Sequence, residues 1–283
     1  MSPRRNARAI ESRRSPARGK TRALGQHFLR DADIARRIVD VIAPTARDVT
    51  VEIGPGRGAL TNLLAACSGR LIGLEVDPVL AARLSEAFAA SLNVRILEAD
   101  ARSYDYTALR GLVHESGGRV LAVGNLPYSV AKPILMALVE AGSSIDEMAL
   151  MLQREVAERI AAAPGTRVYG SLSVLTQVAC DVRLALSVPP GAFTPPPQVD
   201  SAVAHLRTLD VPPVSIAEPE RFRRLVRAAF GQRRKNLANA LGAGLGLGAE
   251  RARSAITAAG IDPGRRAETL SLAEFARLAD VVG

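Results

Sequence analysis

Residues 49–125 alternate between short apolar segments and segments with helical spacing, and this alternation constrains the fold more than any other feature of the chain. Residues 49–53, 70–75, 93–98 and 119–124 predict strands. Helices are predicted after the first two strands, to about residue 66 and over residues 78–90. This order predicts an α/β fold with a Rossmann-like, doubly wound parallel sheet. Ligands of such sheets bind at the carboxyl ends of the strands.

A glycine-rich loop, Gly54-Pro55-Gly56-Arg57-Gly58, follows the first strand. Glycine lets the backbone turn sharply and approach a ligand closely, and the amides of the next helix face that ligand. Glu75 ends the second strand, roughly 20 residues later, which is the spacing at which an acid reaches the ribose hydroxyls of a nucleoside-type cofactor. Gly54, Gly56 and Ala59 also satisfy the relaxed dinucleotide spacing, so this motif alone leaves a nicotinamide cofactor open.

Two further strand ends carry polar residues. Asp100 follows the third strand, and Asn125-Leu126-Pro127-Tyr128 follows the fourth. An Asn near a Pro is common in ordinary turns, and an acid at a strand end can simply cap a helix. Polar groups at consecutive strand ends meet at one edge of the sheet, however, and together they favour a binding site that contains an amide, a proline and an aromatic ring.

The remaining sequence predicts three parts: a disordered basic arm, the α/β domain and a small all-α domain. The arm covers residues 1–22, the α/β domain residues 23–210 and the helical domain residues 211–283, which begin with Val211-Pro212-Pro213. Residues 181–188 and 199–208 alternate as an antiparallel hairpin at the end of the α/β domain, joined by an extended proline-rich loop. The other predicted elements are helices at 31–42, 131–141, 154–163, 171–179, 218–230, 233–243, 249–260 and 272–281, and a strand at 145–152.

The net charge of +9 is unevenly distributed. Residues 1–22 carry a net +7 and residues 211–283 a net +5, whereas residues 23–210 carry a net −3. Basic ends around a mildly acidic body predict a polyanion held at the edges and a neutral or cationic ligand in the middle. A solvated, arginine-rich surface is the plainer alternative.

Other features bear on the cellular compartment. No apolar run approaches the roughly 20 residues of a membrane span, and no stretch has the build of a secretory signal. Cys67 and Cys180 lie in apolar surroundings and are predicted to be buried free thiols, which fits a reducing cytoplasm. Neither has a His or Cys at metal spacing, so no metal site is predicted.

Several of these segments match a family. The pattern Glu52-x-Gly54-x-Gly56-x-Gly58 resembles the first motif of S-adenosylmethionine-dependent methyltransferases, and Asn125-Leu126-Pro127-Tyr128 resembles the motif of those that methylate adenine-type amines. The chain from Gly25 to its end resembles the bacterial ribosomal RNA small-subunit adenine dimethyltransferases. Three more segments carry this resemblance: Gly25-Gln26-His27-Phe28-Leu29, Phe193-x-Pro195-x-Pro197-x-Val199-x-Ser201 and Phe230-Gly231-Gln232-Arg233-Arg234-Lys235.

The resemblance implies S-adenosylmethionine as the cofactor. The residues that it implies for the cofactor site are His27 and Leu29 on the methionine side, Gly54 and Gly56 in the loop, Glu75 on the ribose, Asp100 on the adenine amine and Asn125 at the sulfonium end. His27 stands where the family often has Asn, and an imidazole cannot copy the paired hydrogen bonds of an amide, so we expect the backbone to make that contact. The implied substrate is a pair of adjacent adenosines in a hairpin near the 3′ end of small-subunit (16S) rRNA, converted to dimethyladenosines during ribosome biogenesis. A monomer in the cytoplasm, without a membrane partner, is expected.

The catalytic hypothesis concerns the exocyclic amine of adenine, a poor nucleophile because its lone pair is delocalised into the ring. The side-chain oxygen of Asn125 and the carbonyl of Leu126, fixed by Pro127, can accept hydrogen bonds from the amine and so favour its nucleophilic form. Tyr128 and Phe193 are predicted to stack on the extruded base, with a core position as the alternative for Phe193. The predicted phosphate contacts are Arg223, Arg224, Arg227, Arg233, Arg234 and Lys235.

Three alternatives stay open at this point. One is a macrolide-resistance-type methyltransferase of large-subunit rRNA, although the Gln-Arg-Arg-Lys segment and the long proline loop favour the small-subunit substrate. Another is a mitochondrial homologue that acts as a transcription factor, since the arm resembles a transit peptide; its prolines and Glu11 weigh against import. The third is a nicotinamide dehydrogenase, for which the sequence presents no catalytic set.

Overall fold

The computed structural model describes residues 27–113, 117–232 and 234–282. The predicted basic arm therefore lies outside the described residues. The strands are β1 (Phe28–Leu29), β2 (Val49–Ile53), β3 (Arg70–Glu75), β4 (Val94–Glu98), β5 (Val120–Asn125), β6 (Glu147–Gln153), β7 (Cys180–Val188), β8 (Phe193–Thr194) and β9 (Ser201–Thr208). The helices are α1 (Ala32–Ile42), α2 (Thr61–Cys67), α3 (Pro78–Ala87), α4 (Ala131–Glu140), α5 (Arg154–Ile160), α6 (Ser171–Gln177), α7 (Pro219–Phe230), α8 (Leu237–Gly244), α9 (Ala249–Ala258) and α10 (Leu272–Val281).

The main sheet has the strand order β4-β3-β2-β5-β6-β9-β7. The first five of these strands are parallel, whereas β9 is antiparallel to both β6 and β7. The order reverses beside β2, the first strand of this sheet in the chain, and such a switch point is where doubly wound sheets bind ligands. The α/β class, the parallel sheet and the antiparallel hairpin are thus confirmed.

The central strands β2 and β5 are covered on both faces, and every β2 residue is buried. Strands buried in this way are normally continuous apolar runs. In β2, however, Glu52 is only 2% exposed and Thr50 is fully buried. Thr50 is satisfied by a 2.8 Å hydrogen bond to Ser68, so Glu52 is the member of β2 that packing does not explain.

A polar cluster holds the opposite, amino-terminal edge of the sheet together. The buried carboxylate of Asp48 accepts hydrogen bonds from the backbone N–H and the guanidinium of Arg119, and from the backbone and hydroxyl of Thr45. Burial acts to raise the pKa of Asp48, but these hydrogen bonds outweigh it and lower that pKa below its ordinary value. This edge lies away from the carboxyl ends of the strands, so we expect the cluster to serve folding alone.

A two-stranded antiparallel ribbon of β1 and β8 was not predicted. Phe28 pairs with Thr194 and Leu29 with Phe193, so the proline-rich connection is tied to the start of the described chain. The carbonyl of Ala192 also accepts from the backbone N–H of Arg30 at 2.9 Å. This ribbon lies beside the carboxyl ends of the strands and brings residues 27–29 to the site described below.

The helices α7 to α10 form a small bundle whose hydrophobic core is continuous with the α/β part. Tyr169, Val174 and Leu175 belong to the same buried cluster as Phe222 and Phe275 of the bundle. The domain boundary at residue 211 stays a prediction, because this shared core crosses it. Within the described residues, the helices are too short or too polar to cross a lipid bilayer.

Helix α8 begins four residues later than predicted. The side chain of Asn236 caps it, accepting from the backbone N–H of Asn239 at 3.0 Å, and a turn closed by Lys235 N–H and the Gln232 carbonyl precedes it. Asn is a favoured cap because its side-chain oxygen satisfies a free N–H of the first turn. Arg234 and Lys235 therefore lie in a turn and not on a helix.

Candidate active site

A cavity opens where β2, β3, β4 and β5 reach their carboxyl ends. The ribbon of β1 and the start of α4 close its other sides. The sequence-predicted residues that line the cavity are His27, Leu29, Gly54, Gly56, Glu75, Asp100, Asn125, Leu126, Pro127 and Tyr128. The strand-end residues predicted to meet at one edge of the sheet are thus brought together.

The glycine loop turns tightly at the floor of the cavity. Gly54 and Gly56 have φ angles of +64° and +58°, a region that side chains disfavour. A methyl group on Gly56 would also lie only 3.1 Å from Cε1 of Phe28. The guanidinium of Arg57 lies 4.5 Å from the centre of the same Phe28 ring, so this ring and the arginine form one wall of the opening.

Glu75 holds the glycine loop in place. Its carboxylate, 2% exposed, accepts from the backbone N–H of Gly56 at 2.9 Å through Oε2 and from that of Asp77 at 3.0 Å through Oε1. Each carboxylate oxygen has a second lone pair for a ligand hydroxyl. Glu75 can therefore order the loop and contact a ligand at the same time.

Asp100 is held by hydrogen bonds from an arginine of the chain itself. Both carboxylate oxygens accept from the Arg102 guanidinium, and Oδ1 also accepts from the Arg102 backbone N–H at 2.9 Å. These bonds, opposed by partial burial, hold the pKa of Asp100 below its ordinary value. Asp100 is thus an ionised acceptor at the end of the cavity that lies beyond β4.

The amide of Asn125 has a defined orientation. Its Nδ2 donates to the backbone carbonyl of His27 at 2.8 Å. The reverse orientation would set two acceptors against each other, so the oxygen Oδ1 must occupy the other position. Leu126 beside it is buried, and its N–H donates to the Met151 carbonyl at 3.1 Å. An acceptor oxygen at a fixed place in the cavity is the result.

Tyr128 and His27 place two rings at the cavity. Tyr128 is held by a 2.6 Å hydrogen bond between its hydroxyl and that of Ser201. The ring centres of His27 and Tyr128 lie 5.6 Å apart with a 37° tilt. The Nδ1 atom of His27 lies 2.7 Å from the carbonyl of Pro195, which can only accept, so Nδ1 carries a proton.

Phe193 does not provide the predicted second stacking face. It is 1% exposed and belongs to the buried cluster around α1, with Ile34 and Ile38. The pairing of β8 with β1 turns its ring into the core, where burial of apolar surface stabilises it. The prediction of an exposed aromatic face at Phe193 is therefore wrong for this structure, and its core alternative describes what is seen.

A model of the ribosomal RNA adenine dimethylase family matches residues 18–282. The chain belongs to this family. Members are S-adenosylmethionine-dependent methyltransferases, and this membership excludes the nicotinamide dehydrogenase left open by the glycine loop.

A curated relative and two solved structures agree with this assignment. The chain is 44% identical over 258 residues to the ribosomal RNA small subunit methyltransferase A of Geobacter metallireducens, covering 91% of this chain and 93% of the relative. A dimethyladenosine transferase of Plasmodium falciparum superposes with a TM-score of 0.71 at 21% identity, covering 89% of this chain and 96% of that one. The 23S rRNA methyltransferase ErmE gives 0.62 at 26% identity, covering 90% and 99%. At these identities the solved structures support the fold.

The cavity fits the cofactor of this dimethylase family. Its floor contains a carboxylate atom without a partner: Oε2 of the buried Glu52 accepts no hydrogen bond from the described residues. The hydroxyl of Thr61, fully buried in the first turn of α2, is likewise unpartnered. A cofactor with a cationic amino-acid end supplies the donors that such oxygens need.

Four residues of the site were missed as functional candidates: Phe28, Glu52, Thr61 and Ser201. Glu52 and Ser201 stand in the motifs that carry the resemblance, so their position was a signal. Phe28 also stands in one of these motifs, directly after His27. Thr61 offered none, because a threonine at a helix start is ordinary.

The predicted RNA-binding residues fall in different places. Arg224 and Arg227 are exposed and line a groove between α7 and α8 that also includes Gln232 and Gly244. Arg223 lines another groove, formed with residues 208–216, and its guanidinium pairs with Glu220. Arg234 and Lys235 are exposed in the turn before α8, whereas Arg233 lies outside the described residues.

Proposed function

We propose that the protein transfers methyl groups from S-adenosylmethionine to the exocyclic amines of two adjacent adenosines in a hairpin near the 3′ end of small-subunit rRNA. Dimethyladenosine is the end product. The similarity to a curated small subunit methyltransferase A along almost the whole chain supports this substrate over large-subunit rRNA. The identity to the 23S rRNA methyltransferase is much lower, at 26%.

The orientation of the Asn125 amide carries the proposal. An acceptor oxygen fixed by the 2.8 Å bond to the His27 carbonyl suits an amine, which has hydrogens to donate. It suits a hydroxyl or carbon substrate less well, because the next residue offers a second free acceptor and a hydroxyl has one hydrogen to donate. The carbonyl of Leu126 also accepts no hydrogen bond from the described residues. Two acceptors from adjacent residues, Asn125 and Leu126, match in number the two hydrogens of the adenine amine.

In this mechanism, the residues position the amine and favour its pyramidal form. When bound, S-adenosylmethionine supplies an electrophilic methyl group on a cationic sulfur. Asn125 Oδ1 and the Leu126 carbonyl accept from the amine and localise its lone pair. The methylated amine then loses a proton readily, so no strongly basic side chain is required. The monomethylated amine keeps one hydrogen, so in the second methylation, after the amine has rotated, only one of these two oxygens accepts from it.

Tyr128 provides the face on which the extruded base stacks. Stacking on an aromatic ring contributes about 1–3 kcal/mol per base. The hydroxyl bond to Ser201, 2.6 Å long, restrains the ring and so reduces the entropy lost on binding. Because Phe193 is buried, we assign the stacking contact to Tyr128 alone.

The cofactor is held by the strand ends. Glu75 accepts from the ribose hydroxyls through its spare lone pairs, and Asp100 accepts from the adenine amine. The loop at Gly54 and Gly56 allows close backbone approach, while Leu29 packs on the methionine side. At position 27 we assign the backbone carbonyl to the site, because it accepts from the Asn125 amide and so fixes its orientation.

The helical bundle holds the RNA. Arg224 and Arg227 in the groove between α7 and α8, with Arg234 and Lys235 in the adjoining turn, contact phosphates. Arg223 is excluded from this set, because its guanidinium is engaged by Glu220. We further propose that the enzyme acts as a cytoplasmic monomer, without a membrane partner.

Methylation of isolated ribosomal subunits tests the function. The protein is incubated with labelled S-adenosylmethionine and either unmethylated small subunits or large subunits, and the modified nucleotides are mapped and identified by mass spectrometry. We expect two adjacent dimethyladenosines in small-subunit rRNA. Label in large subunits alone would refute the substrate, and monomethyladenosine as the sole final product would refute dimethylation.

A further inference from the structure

Glu52, which lines the cavity, and Thr61, buried close to its carboxyl group, leave two polar atoms unsatisfied. Glu52 Oε2 and Thr61 Oγ1 have no hydrogen-bond partner among the described residues, although both side chains are at most 2% exposed. More than about 90% of buried polar groups in proteins are hydrogen-bonded. Glu52 also lines the cavity, so its carboxyl group faces ligand space and not a closed core.

Within the part of the chain that the structure describes, no cation neutralises this carboxyl group. The charged neighbour that acts on it is Glu75 of β3, a second carboxylate. The β-strand neighbours of Glu52 are Gly73 and Val123, which carry no charge. The two arginines that line the cavity are engaged elsewhere, since Arg57 stacks on Phe28 and Arg102 binds Asp100.

A buried carboxyl group beside a second carboxylate is more stable in its neutral form. Burial, opposed by the nearby Thr61 hydroxyl and assisted by the charge of Glu75, raises the pKa of Glu52 to about 8. At neutral pH the free protein therefore keeps a proton on Glu52. A ligand cation placed against Oε2 reverses this preference, because an opposite charge favours the ionised form.

We propose that Glu52, with Thr61 beside it, makes binding in this cavity proton-linked. The carboxyl group is neutral in the free protein and releases its proton to solvent when the primary ammonium group of the cofactor's amino-acid end binds. The ammonium keeps its own protons and donates a hydrogen bond to the Glu52 carboxylate, to which the neighbouring Thr61 hydroxyl can also donate. This inference rests on the cofactor site proposed above and adds that binding releases protons.

Titration calorimetry tests the linkage without measuring activity. S-adenosylhomocysteine is titrated into the full-length protein in two buffers of different ionisation enthalpy, and the difference in apparent enthalpy gives the protons released. We expect about one proton released at pH 7, and a smaller net release at higher pH, where Glu52 is already ionised and the probe's amine must itself take up a proton to bind. Glu52→Gln should release none at pH 7, while Glu98→Gln, at an exposed site on β4, should match wild type.

A shortened probe identifies the group responsible. 5′-Deoxy-5′-methylthioadenosine lacks the amino-acid end, so its binding should release no protons at pH 7. If S-adenosylhomocysteine binds without proton release, the linkage is wrong and the cofactor site stands. If it does not bind at all, the cofactor site itself fails. Should Glu52→Gln not fold, the comparison of the two probes in wild type still decides, because equal release from both would refute the ammonium contact.

Discussion

The change Glu75→Gln tests the idea that one carboxylate both orders the glycine loop and binds the cofactor. The two carboxylate oxygens accept from the backbone N–H groups of Gly56 and Asp77 at 2.9 and 3.0 Å. Glutamine has one acceptor oxygen, so in either orientation its NH₂ group must face one of these N–H donors. The substitution keeps the shape of the side chain but leaves one of these two N–H groups without an acceptor. The hydrogen bond to the other N–H group remains, with a neutral acceptor in place of a charged one.

The size of the effect follows from these two bonds. A hydrogen bond to a charged group contributes about 1.5–3 kcal/mol, and a neutral one about half as much. Losing one bond and weakening the other should therefore cost roughly 2–4 kcal/mol of unfolding free energy. For a protein of this size, that corresponds to a fall in melting temperature of roughly 5–12 °C. Loss of the charged ribose contact should weaken cofactor binding about 10- to 100-fold as well.

Differential scanning calorimetry and cofactor titration measure the two effects. Both are performed at pH 6, where the neighbouring Glu52 is protonated because its pKa is about 8, so relief of repulsion between the two carboxylates does not offset the loss. Glu98→Gln is the matched control, since it makes the same chemical change at an exposed position paired with Glu75 in the sheet. A Glu75→Gln variant with the wild-type melting temperature and affinity would refute the reasoning. A lower melting temperature with unchanged affinity would keep the role in ordering the loop and remove the ribose contact.

Other changes test the catalytic, RNA-binding and folding roles separately. Asn125→Ala should lower the rate of single-turnover methyl transfer by ~10²-fold or more, because it removes an acceptor of the amine hydrogens, and should leave cofactor affinity within a few-fold of wild type. A near-wild-type rate would exclude Asn125 from the mechanism. Changing Arg224 and Arg227 together to Gln should reduce the slope of log affinity against log salt by about one unit per lost phosphate contact, whereas Arg223→Gln should leave the slope unchanged. Filter binding measures these slopes. Equal slopes in wild type, the double variant and Arg223→Gln would mean that the groove does not face RNA. Asp48→Asn should lower the unfolding free energy in urea by roughly 2–3 kcal/mol at pH 7. Because the pKa of Asp48 is lowered in the folded state, its contribution to the unfolding free energy is present above the ordinary value of 3.8 and is lost as the pH falls below it. The difference between Asp48→Asn and wild type should therefore shrink towards pH 3, and a difference that is independent of pH would contradict this.

Most of the fold could be predicted because its central elements are local patterns. The strands from β2 to β6 are short apolar runs between helices with an apolar face, and both patterns are visible within a few residues. The site residues Glu75, Asp100 and Asn125 could be found for the same reason. Each ends, or follows within two residues, a strand that the sequence shows, and parallel strands have their carboxyl ends at one edge.

Features that depend on contacts between distant segments could not be predicted. The ribbon of β1 and β8 consists of two-residue strands, which are too short to show a period of two. Without that pairing, Phe193 among prolines looks like a loop residue available for stacking. Similarly, Arg223 and Arg227 are four residues apart on α7, a spacing typical of one helix face. Their separation into two grooves follows from the packing of α8 and of residues 208–216 on either side of α7.

Position 27 shows how the structure resolves the clearest departure from the family pattern, a histidine where asparagine is frequent. The group that fixes the catalytic amide is the backbone carbonyl of residue 27, which accepts from Asn125 at 2.8 Å and is the same whatever side chain stands there. The imidazole is turned away from that bond, since Nδ1 donates to the Pro195 carbonyl at 2.7 Å. It thereby ties the proline loop to the ribbon of β1 and β8 and sets its ring 5.6 Å from Tyr128. Replacing an amide by an imidazole therefore leaves the orientation of Asn125 intact and changes only how the loop beside it is held.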